Sequence, residues 1–263
     1  MKILDGKSTA EEISKELKNK ISKSGYTPRL AIFQIGDNPS SNKYINFKIK
    51  KAEEIGINAV LKKIDDHFPQ EKLIEDIKDI SPWVDGIIIQ LPLPEGYDTK
   101  LILNSVPHNK DVDGLSEGNT KITPATPRGI MTLLKNNNIE IKNKVIAVVG
   151  QSNLVGKPLS NLFSLNNAKE VIRIDKKTGL SGTERADILV VAAGHPNLIK
   201  EENIKSGVVI IDVGVNLLSN GKITGDVDRD SVGEIPSMIS PVIGGVGPMT
   251  VISLFQNLVD NIK

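Results

Sequence analysis

The chain has 263 residues, and its 33 basic and 32 acidic side chains leave a formal net charge of +1, which indicates neither a nucleic-acid surface nor an anionic-membrane surface. Cysteine is absent, so disulfides, thiolate metal sites and cysteine nucleophiles are excluded, and no apolar run approaches the roughly 20 residues of a membrane span. Because the N-terminus becomes charged too early for a signal peptide, we expect a cytoplasmic α/β protein of one large or two modest domains.

The first half of the chain alternates helix and strand signals. Ser8-Thr9-Ala10-Glu11 has the pattern of a capping box, and apolar residues follow it at helical spacing. Apolar runs predict strands at 30–35 and 84–91, with a weaker strand at 58–63 between them. Helical patterns separate these strands. This order predicts a parallel sheet with helical crossovers.

The second half repeats the pattern after an interruption. A long polar loop at 107–125 follows a predicted helix at 98–105 and marks a candidate domain boundary. A helix then begins at Thr126-Pro127, Asn220-Gly221 predicts a hairpin turn, and a last helix is predicted over 250–262. Buried strands are predicted from four apolar runs, at 145–149, 170–174, 188–193 and 208–213.

The stretch from Val145 to Pro158 combines a strand, a glycine turn and a helix start. Glycine lets the backbone approach a phosphate, and a helix N-terminus supplies free N–H groups. The fit to the dinucleotide pattern G-x-G-x-x-G is incomplete, because Ser152 replaces its second glycine and Gly156 comes one position late. On this stretch alone, a phosphate-binding turn and an ordinary strand–turn–helix corner are equally supported.

The end of the next strand carries charges that bear on a nucleotide. Asp175 lies 25 residues after Gly150, and an acid near this position hydrogen-bonds the adenosine ribose of NAD. Arg173, Lys176 and Lys177 crowd it, and any of them could take the 2′-phosphate of NADP. A solvated charge cluster would have the same pattern, so the choice stays open.

Three places in the first half could carry chemistry. Tyr44 and Lys48 share a helix face, where a lysine of lowered pKa can move protons, although a solvated lysine packed on a tyrosine ring is common. Gln90 ends an apolar strand, which is where open α/β sheets bind ligands and also where polar residues simply terminate strands. Asp111 and Asp113 suit either a metal or acid–base pair, or an Asp-Gly turn.

Seven short motifs, in this order, resemble the bifunctional methylenetetrahydrofolate dehydrogenase/methenyltetrahydrofolate cyclohydrolase family, often called FolD. They are YINFK at 44–48, QLPLP at 90–94, KDVDG at 110–114, PATPRG at 124–129, GQSNLVGKP at 150–158, IDVG at 211–214 and GGVGPMT at 244–250. Each motif is weak alone, but together they cover nearly the whole chain and are specific.

The resemblance implies a reaction on tetrahydrofolate derivatives. Methylenetetrahydrofolate would give a hydride to a nicotinamide, and water would then open the methenyl product to 10-formyltetrahydrofolate. The resemblance makes Lys48 the proton-moving group, with Gln90 tuning it, Tyr44 stacking on the folate and Asp113 binding the pterin. No metal is expected, because the cofactor carries the hydride chemistry. Further folate contacts are implied at Leu91, Gly244 and Gly245.

The resemblance also implies two domains with a cleft between them. Residues 1–123, rejoined by 249–263, would form an α/β folate-binding catalytic domain with parallel strands. Residues 124–248 would form a Rossmann-like dinucleotide-binding domain, through which the family commonly dimerises. The cofactor contacts would be Gly150, Gln151, Ser152 and Val215, with Asp175 and Lys176 at the adenosine end.

Several positions depart from the family pattern. Many members have arginine at the position of Gln151 and His-Ser at the position of Asp175-Lys176, and both departures fall at the adenosine end of the cofactor. The resemblance implies NADP, with NAD as the alternative. Ala125 and Ile243 replace a common cysteine and proline, which we expect to be harmless.

Two other functions compete with the bifunctional enzyme. One is a dehydrogenase that has lost hydrolysis, and the other is a dinucleotide-binding sensor without catalysis. The joint presence of Lys48, Gln90 and Asp113 argues against both.

Overall fold

Two parallel β-sheets organise the chain in this computed structural model, which describes residues 1–262. Each sheet belongs to its own unit. The first unit consists of residues 12–125 and 251–262, and the second of Met1–Glu11 and Thr126–Thr250. Among the helices of the described residues, none has both the length and the apolar character that a bilayer crossing requires.

The strands and helices alternate along most of the chain. The strands are β1 (Lys2–Ile3), β2 (Arg29–Ile35), β3 (Asn58–Ile64), β4 (Gly86–Ile89), β5 (Val145–Val149), β6 (Glu170–Ile174), β7 (Ile188–Val191), β8 (Val209–Asp212), β9 (Asn216–Leu217), β10 (Ile223–Thr224) and β11 (Met238–Ile239). The helices are α1 (Gly6–Ser24), α2 (Pro39–Ile55), α3 (Gln70–Ile80), α4 (Thr99–Ser105), α5 (Ala125–Asn136), α6 (Gly156–Leu165), α7 (Arg229–Val232) and α8 (Val246–Asn261).

The first unit is built on a sheet of strand order β3-β2-β4, with all pairs parallel. The apolar runs in β2 and β4 are buried, as expected for strands inside a parallel sheet. Residues 110–112 extend this sheet beside β4, because Ile87 N donates to Lys110 O at 2.7 Å and Ile87 bridges to Asp111. The polar loop predicted as a boundary is therefore partly an integral piece of the first unit.

The second unit contains a parallel sheet of strand order β1-β11-β8-β7-β5-β6. Its central strands are mostly apolar and almost entirely buried, so the predicted α/β fold is confirmed. Because β5 lies between β6 and β7, the winding of the chain reverses beside β5. Such a reversal opens a crevice at the carboxyl ends of the strands. The predicted Asn220-Gly221 hairpin is also present, joining the antiparallel strands β9 and β10.

The N-terminus differs from the predicted domain boundary. It was expected in the same domain as residues up to 123, but Met1–Glu11 belongs to the second unit. The reason is β1, which pairs in parallel with β11, while Leu4 N donates to Ile239 O at 2.9 Å. Strands of two residues carry no periodicity, so the sequence pattern does not reveal them.

Two helix starts also differ from the sequence prediction. Helix α1 begins at Gly6 and not at Ser8, because the Asp5 carboxylate accepts Ser8 N at 3.0 Å and Ser8 Oγ at 2.7 Å. Asp5 is thus the cap, and the proposed capping box lies inside the helix. Helix α8 begins at Val246, so the glycines at 244–245 directly precede it.

Candidate active site

A buried lysine–glutamine contact lies at the carboxyl end of β4. Lys48, on α2, is only 7% exposed, and its Nζ donates to Gln90 Oε1 at 2.9 Å. Gln90 follows β4 directly, and its backbone N donates to Phe33 O at 2.9 Å. Its Nε2 donates to Leu91 O at 2.7 Å, which leaves the side-chain oxygen for the lysine. The glutamine therefore orients a buried amine.

The electrostatics of the first unit favour proton exchange at this lysine. Burial lowers the pKa of Lys48, and the attraction of Asp113 opposes that effect. Burial likewise raises the pKa of Asp113 to about 6, with Lys48 opposing the rise and Asp111 adding to it. Desolvation disfavours the charged form of both groups. A lysine of lowered pKa beside a carboxyl of raised pKa is suited to acid–base chemistry near neutral pH.

The two neighbouring aspartates divide their roles. Asp111 is buried and accepts from Gly114 N at 3.0 Å and from Ser116 N at 2.8 Å, so it organises its own turn. This agrees with the Asp-Gly turn alternative for Asp111. Asn257, on α8, holds the same loop by donating to Val112 O at 2.8 Å and to the Thr123 carbonyl oxygen. The loop thereby fixes Asp113, which acts electrostatically on Lys48.

Tyr44 and Leu91 flank this group. Tyr44 lies one turn before Lys48 on α2 and is 47% exposed, so its ring is free to stack on a flat ligand. Leu91 is half-buried and is joined to Pro92 by a cis peptide bond. The first unit therefore brings together the predicted residues Tyr44, Lys48, Gln90, Leu91 and Asp113.

Gly244 and Gly245 belong to the second unit, where they pack on the start of α1. Gly244 O accepts from Lys7 N at 2.8 Å. A Cβ atom at Gly6 would lie 1.9 Å from Gly245 O, and one at Gly245 would lie 2.1 Å from Pro241 O. These contacts give Gly245 a packing role that does not depend on a substrate, while Gly244 has a φ of +86°, which favours glycine at that position.

A cavity of about 840 Å³ lies in the second unit where the winding reverses beside β5. It is lined at the carboxyl ends of β5, β6 and β7. The turn after β5 is tight, since a Cβ atom at Gly150 would lie 2.1 Å from Ala192 O, and one at Gly156 would lie 1.8 Å from Gly150 O. The start of α6 thus touches the glycine turn, as a phosphate-binding corner requires. Predicted cofactor residues that line the cavity are Gly150, Gln151, Ser152, Asp175 and Lys176.

Comparison with known proteins identifies the family. Residues 4–113 match "Tetrahydrofolate dehydrogenase/cyclohydrolase, catalytic domain", and residues 124–263 match the NAD(P)-binding domain of the same family. The chain belongs to the tetrahydrofolate dehydrogenase/cyclohydrolase family. The resemblance inferred from the seven motifs is therefore confirmed.

Relatives of the tetrahydrofolate dehydrogenase/cyclohydrolase family match over nearly their whole length. The "Bifunctional protein FolD" of Mycoplasma mobile is 49% identical over 271 residues, covering 99% of this chain and 96% of the relative. The crystal structure of the bifunctional FolD enzyme from Campylobacter jejuni has a TM-score of 0.96 at 38% identity, covering 99% and 98% of the two chains. A Trypanosoma brucei FolD structure, complexed with NADP cofactor and inhibitor, has a TM-score of 0.91 at 30% identity, covering 98% and 96%.

The charged side chains around the cavity bear on which nicotinamide cofactor the second unit binds. Asp175 Oδ1 accepts from Lys177 N at 2.8 Å and Thr178 N at 3.1 Å, and these bonds lower the pKa of Asp175. Arg173 instead donates to Asn161 Oδ1 at 3.1 Å. Lys176 is an exposed cation at the cavity wall.

Three positions differ from the sequence-based expectation for the cofactor. Gln151 lines the cavity, but its Nε2 donates to Val148 O at 2.9 Å, so the amide is tied to the end of β5. Val215 is 51% exposed and is not among the residues that line the cavity. His195, which is not among the predicted cofactor contacts, does line it. It follows a strand end by several residues, and no pattern in the sequence marks it.

Proposed function

We propose that this protein catalyses two consecutive steps of one-carbon folate interconversion. It oxidises 5,10-methylenetetrahydrofolate to 5,10-methenyltetrahydrofolate with NADP, and it hydrolyses that product to 10-formyltetrahydrofolate. The observation that carries this proposal is the buried Lys48 amine, held by Gln90 and coupled to Asp113, within the part of the chain that matches the family's catalytic domain. The bifunctional relatives and their solved structures support both activities.

In the hydrolysis step Lys48 moves the protons. Its lowered pKa makes the neutral amine available to take a proton from water as the oxygen attacks the methenyl carbon. The resulting ammonium returns this proton to the ring nitrogen as the carbon–nitrogen bond breaks. The added hydroxyl becomes the formyl C=O and loses its own proton to solvent, so the step releases one net proton. Gln90 Oε1 fixes the position of Nζ throughout. Asp113 accepts N–H groups of the pterin, and Tyr44 stacks on the folate.

The second unit suits a nicotinamide dinucleotide. A pyrophosphate can approach the backbone at the cavity beside the start of α6. The glycines there, Gly150 and Gly156, have no room for a Cβ atom, so the main chain is open to the phosphates. Gly150 and Ser152 would hold the pyrophosphate end, and Lys176 the adenosine end. When bound, the nicotinamide accepts a hydride from methylenetetrahydrofolate. We assign folate chemistry to the first unit and cofactor binding to the second.

Lys176 supports NADP over NAD. Asp175 already accepts two backbone N–H groups on one oxygen, whereas Lys176 offers a cation for a 2′-phosphate. Replacing Lys176 with alanine is expected to raise the KM for NADP about tenfold, the equivalent of one charge-assisted hydrogen bond, with no effect on the KM for NAD. The exposed neighbour Lys177→Ala is the matched control. The rate of reduced-nicotinamide formation with NADP and with NAD gives the two KM values for each variant. Turnover with NAD alone would favour Asp175 as the ribose ligand.

The raised pKa of Asp113 predicts how the rate of hydrolysis depends on pH. Its pKa is raised to about 6, so protonation below that pH removes the carboxylate that accepts the pterin N–H groups. The kcat/KM for hydrolysis should therefore fall as the pH decreases through about 6, and Asp113→Asn should abolish this limb. Because the folded pKa is the higher one, the contribution of Asp113 to stability also declines as pH rises from about 4 to about 6. An acid limb near pH 4 would contradict the assignment.

We also propose a cytoplasmic homodimer formed through the second unit. Leu217 and Ile223, on the β9–β10 hairpin, are 73% and 49% exposed, and exposed apolar side chains on one hairpin favour an interface. Replacing both with serine should yield a monomer in light scattering. A dimer that persists at equal concentration would place the interface elsewhere.

The deciding experiment measures both activities on one preparation. Dehydrogenase turnover with NADP and NAD is run in parallel with hydrolysis of methenyltetrahydrofolate. Turnover in both assays supports the bifunctional enzyme. Oxidation without hydrolysis would leave only a dehydrogenase, and cofactor binding without either turnover would leave a sensor.

A further inference from the structure

A carboxylate with no role in the proposed chemistry lies buried behind the cofactor cavity. Asp226 is 0% exposed, and its two oxygens point to different partners. Oδ2 accepts Ala193 N at 2.7 Å and Gly194 N at 2.9 Å. Oδ1 accepts Asn216 Nδ2 at 2.8 Å. One side chain thus satisfies two successive N–H groups of the segment that follows β7.

The same segment forms one wall of the cavity. Ala193 lines it, as do four residues after Gly194, namely His195, Pro196, Asn197 and Leu198. The backbone beside Asp226 holds the far end of this segment, where Leu198 N donates to Asp226 O at 2.7 Å and Asn197 N to Gly225 O at 3.2 Å. The wall is therefore attached at both ends to Gly225 and Asp226.

Asp226 is itself held in place by a second buried carboxylate. Asp212 Oδ1 accepts Asp226 N at 3.0 Å and Gly214 N at 3.1 Å. Two glycines make room for this arrangement, since a Cβ atom at Gly214 would lie 2.2 Å from Asp226 Oδ1 and one at Gly225 would lie 1.9 Å from Asp212 Oδ2. The resulting close packing gives Asp226 little freedom to move.

We propose that Asp226 is a positioning residue for the cofactor cavity, acting through the main chain of the wall segment 193–198. This inference rests on the proposed function of the cavity. The site requires a carboxylate, because all the side-chain contacts of Asp226 described above are to N–H donors. Asparagine would place its own NH₂ group against Ala193 and Gly194, or against Asn216. Because Asp226 accepts the backbone N–H groups of Ala193 and Gly194, the other atoms of the wall segment 193–198 are held facing the ligand.

Asp226→Asn tests the proposal. The KM for NADP is expected to rise by about 10- to 100-fold with little change in kcat, the size of effect that misplaced binding groups produce. Hydrolysis of methenyltetrahydrofolate, which needs no nicotinamide, should stay at the wild-type rate. Hydrogen exchange of the amides in 193–198 should accelerate selectively. An unchanged KM for NADP in folded protein, or an equal loss of both activities, would overturn the positioning role.

Two further variants separate positioning from general stability. Asp228→Ala removes a carboxylate two residues away, whose Oδ1 accepts Ser231 N at 3.1 Å as the cap of α7. It should lower the Tm without raising the KM for NADP. If Asp226→Asn does not fold, Asn216→Ala removes the donor to Oδ1, and a severalfold rise in the KM for NADP is expected. No rise would overturn the proposal. Wild-type protein that fails to bind NADP would instead refute the proposed function.

Discussion

Lys48→Met is expected to reduce hydrolysis of methenyltetrahydrofolate by about 10²- to 10⁴-fold, the range that a lost acid–base group accounts for. The methionine keeps the volume of the lysine stem and removes the amine. Burial already disfavours the charge at this position, so the loss of the cation should cost little stability. The variant also leaves the Gln90 oxygen unpaired, which costs about 1–3 kcal/mol if water does not reach it, and it removes the charge that opposes the raised pKa of Asp113. Hydrolysis rates and Tm together measure the effect.

Lys48→Arg separates proton transfer from charge. Arginine keeps the positive charge but stays protonated at every relevant pH, so it cannot take a proton from water. If Lys48 acts as we propose, this variant should be as inactive as Lys48→Met. Substantial hydrolysis by the arginine variant would show that only a cation is required.

The matched control lies on the same helix. Lys50→Ala changes an exposed lysine on α2 and should leave hydrolysis at the wild-type rate. Binding of NADP should also be unchanged in all three lysine variants, because the cofactor cavity lies in the second unit. Hydrolysis retained by Lys48→Met would contradict the role assigned to this residue.

The sequence predicted most of the strands and helices that position these residues. Continuous apolar runs such as Val145–Val149 are typical of strands buried in a parallel sheet, and the glycine or polar residue that ended a run lay at or close to a strand end. Gln90 was placed correctly at a carboxyl end for this reason. Lys48 and Tyr44 shared a helix face by spacing alone.

Other features depend on contacts between distant parts of the chain. The pairing of β1 with β11 joins residues more than 230 positions apart, and neither strand has a periodicity of its own. Asn257 holds the loop around Val112 from the last helix, and Asp226 holds Ala193 from 33 positions away. A polar residue in a short motif does not reveal which distant N–H group or carbonyl it will meet. These contacts become visible only in the fold.

A second large effect is expected from Gly156→Ala. For this change helix propensity predicts a gain in stability, whereas packing predicts a loss. Alanine is favoured over glycine within a helix by about 1 kcal/mol, and Gly156 is the first residue of α6. Its Cβ atom, however, would lie 1.8 Å from Gly150 O. No side chain can approach a carbonyl so closely, so the glycine turn or the helix must move. Overpacking of this kind costs about 1–3 kcal/mol, so we expect Gly156→Ala to lower the free energy of unfolding.

The displaced turn should weaken cofactor binding selectively. Gly150 cannot move freely, since its φ is +90° and a Cβ atom there would lie 2.1 Å from Ala192 O. We expect dehydrogenase kcat/KM to fall by about 100-fold for a displacement near 1 Å, while hydrolysis by the first unit persists. Gly247→Ala, on α8 with nothing within 4 Å of the new methyl group, makes the same change where space is open and should raise the Tm. If Gly156→Ala bound NADP normally, the contact between Gly150 and Gly156 would not be what shapes the cofactor site.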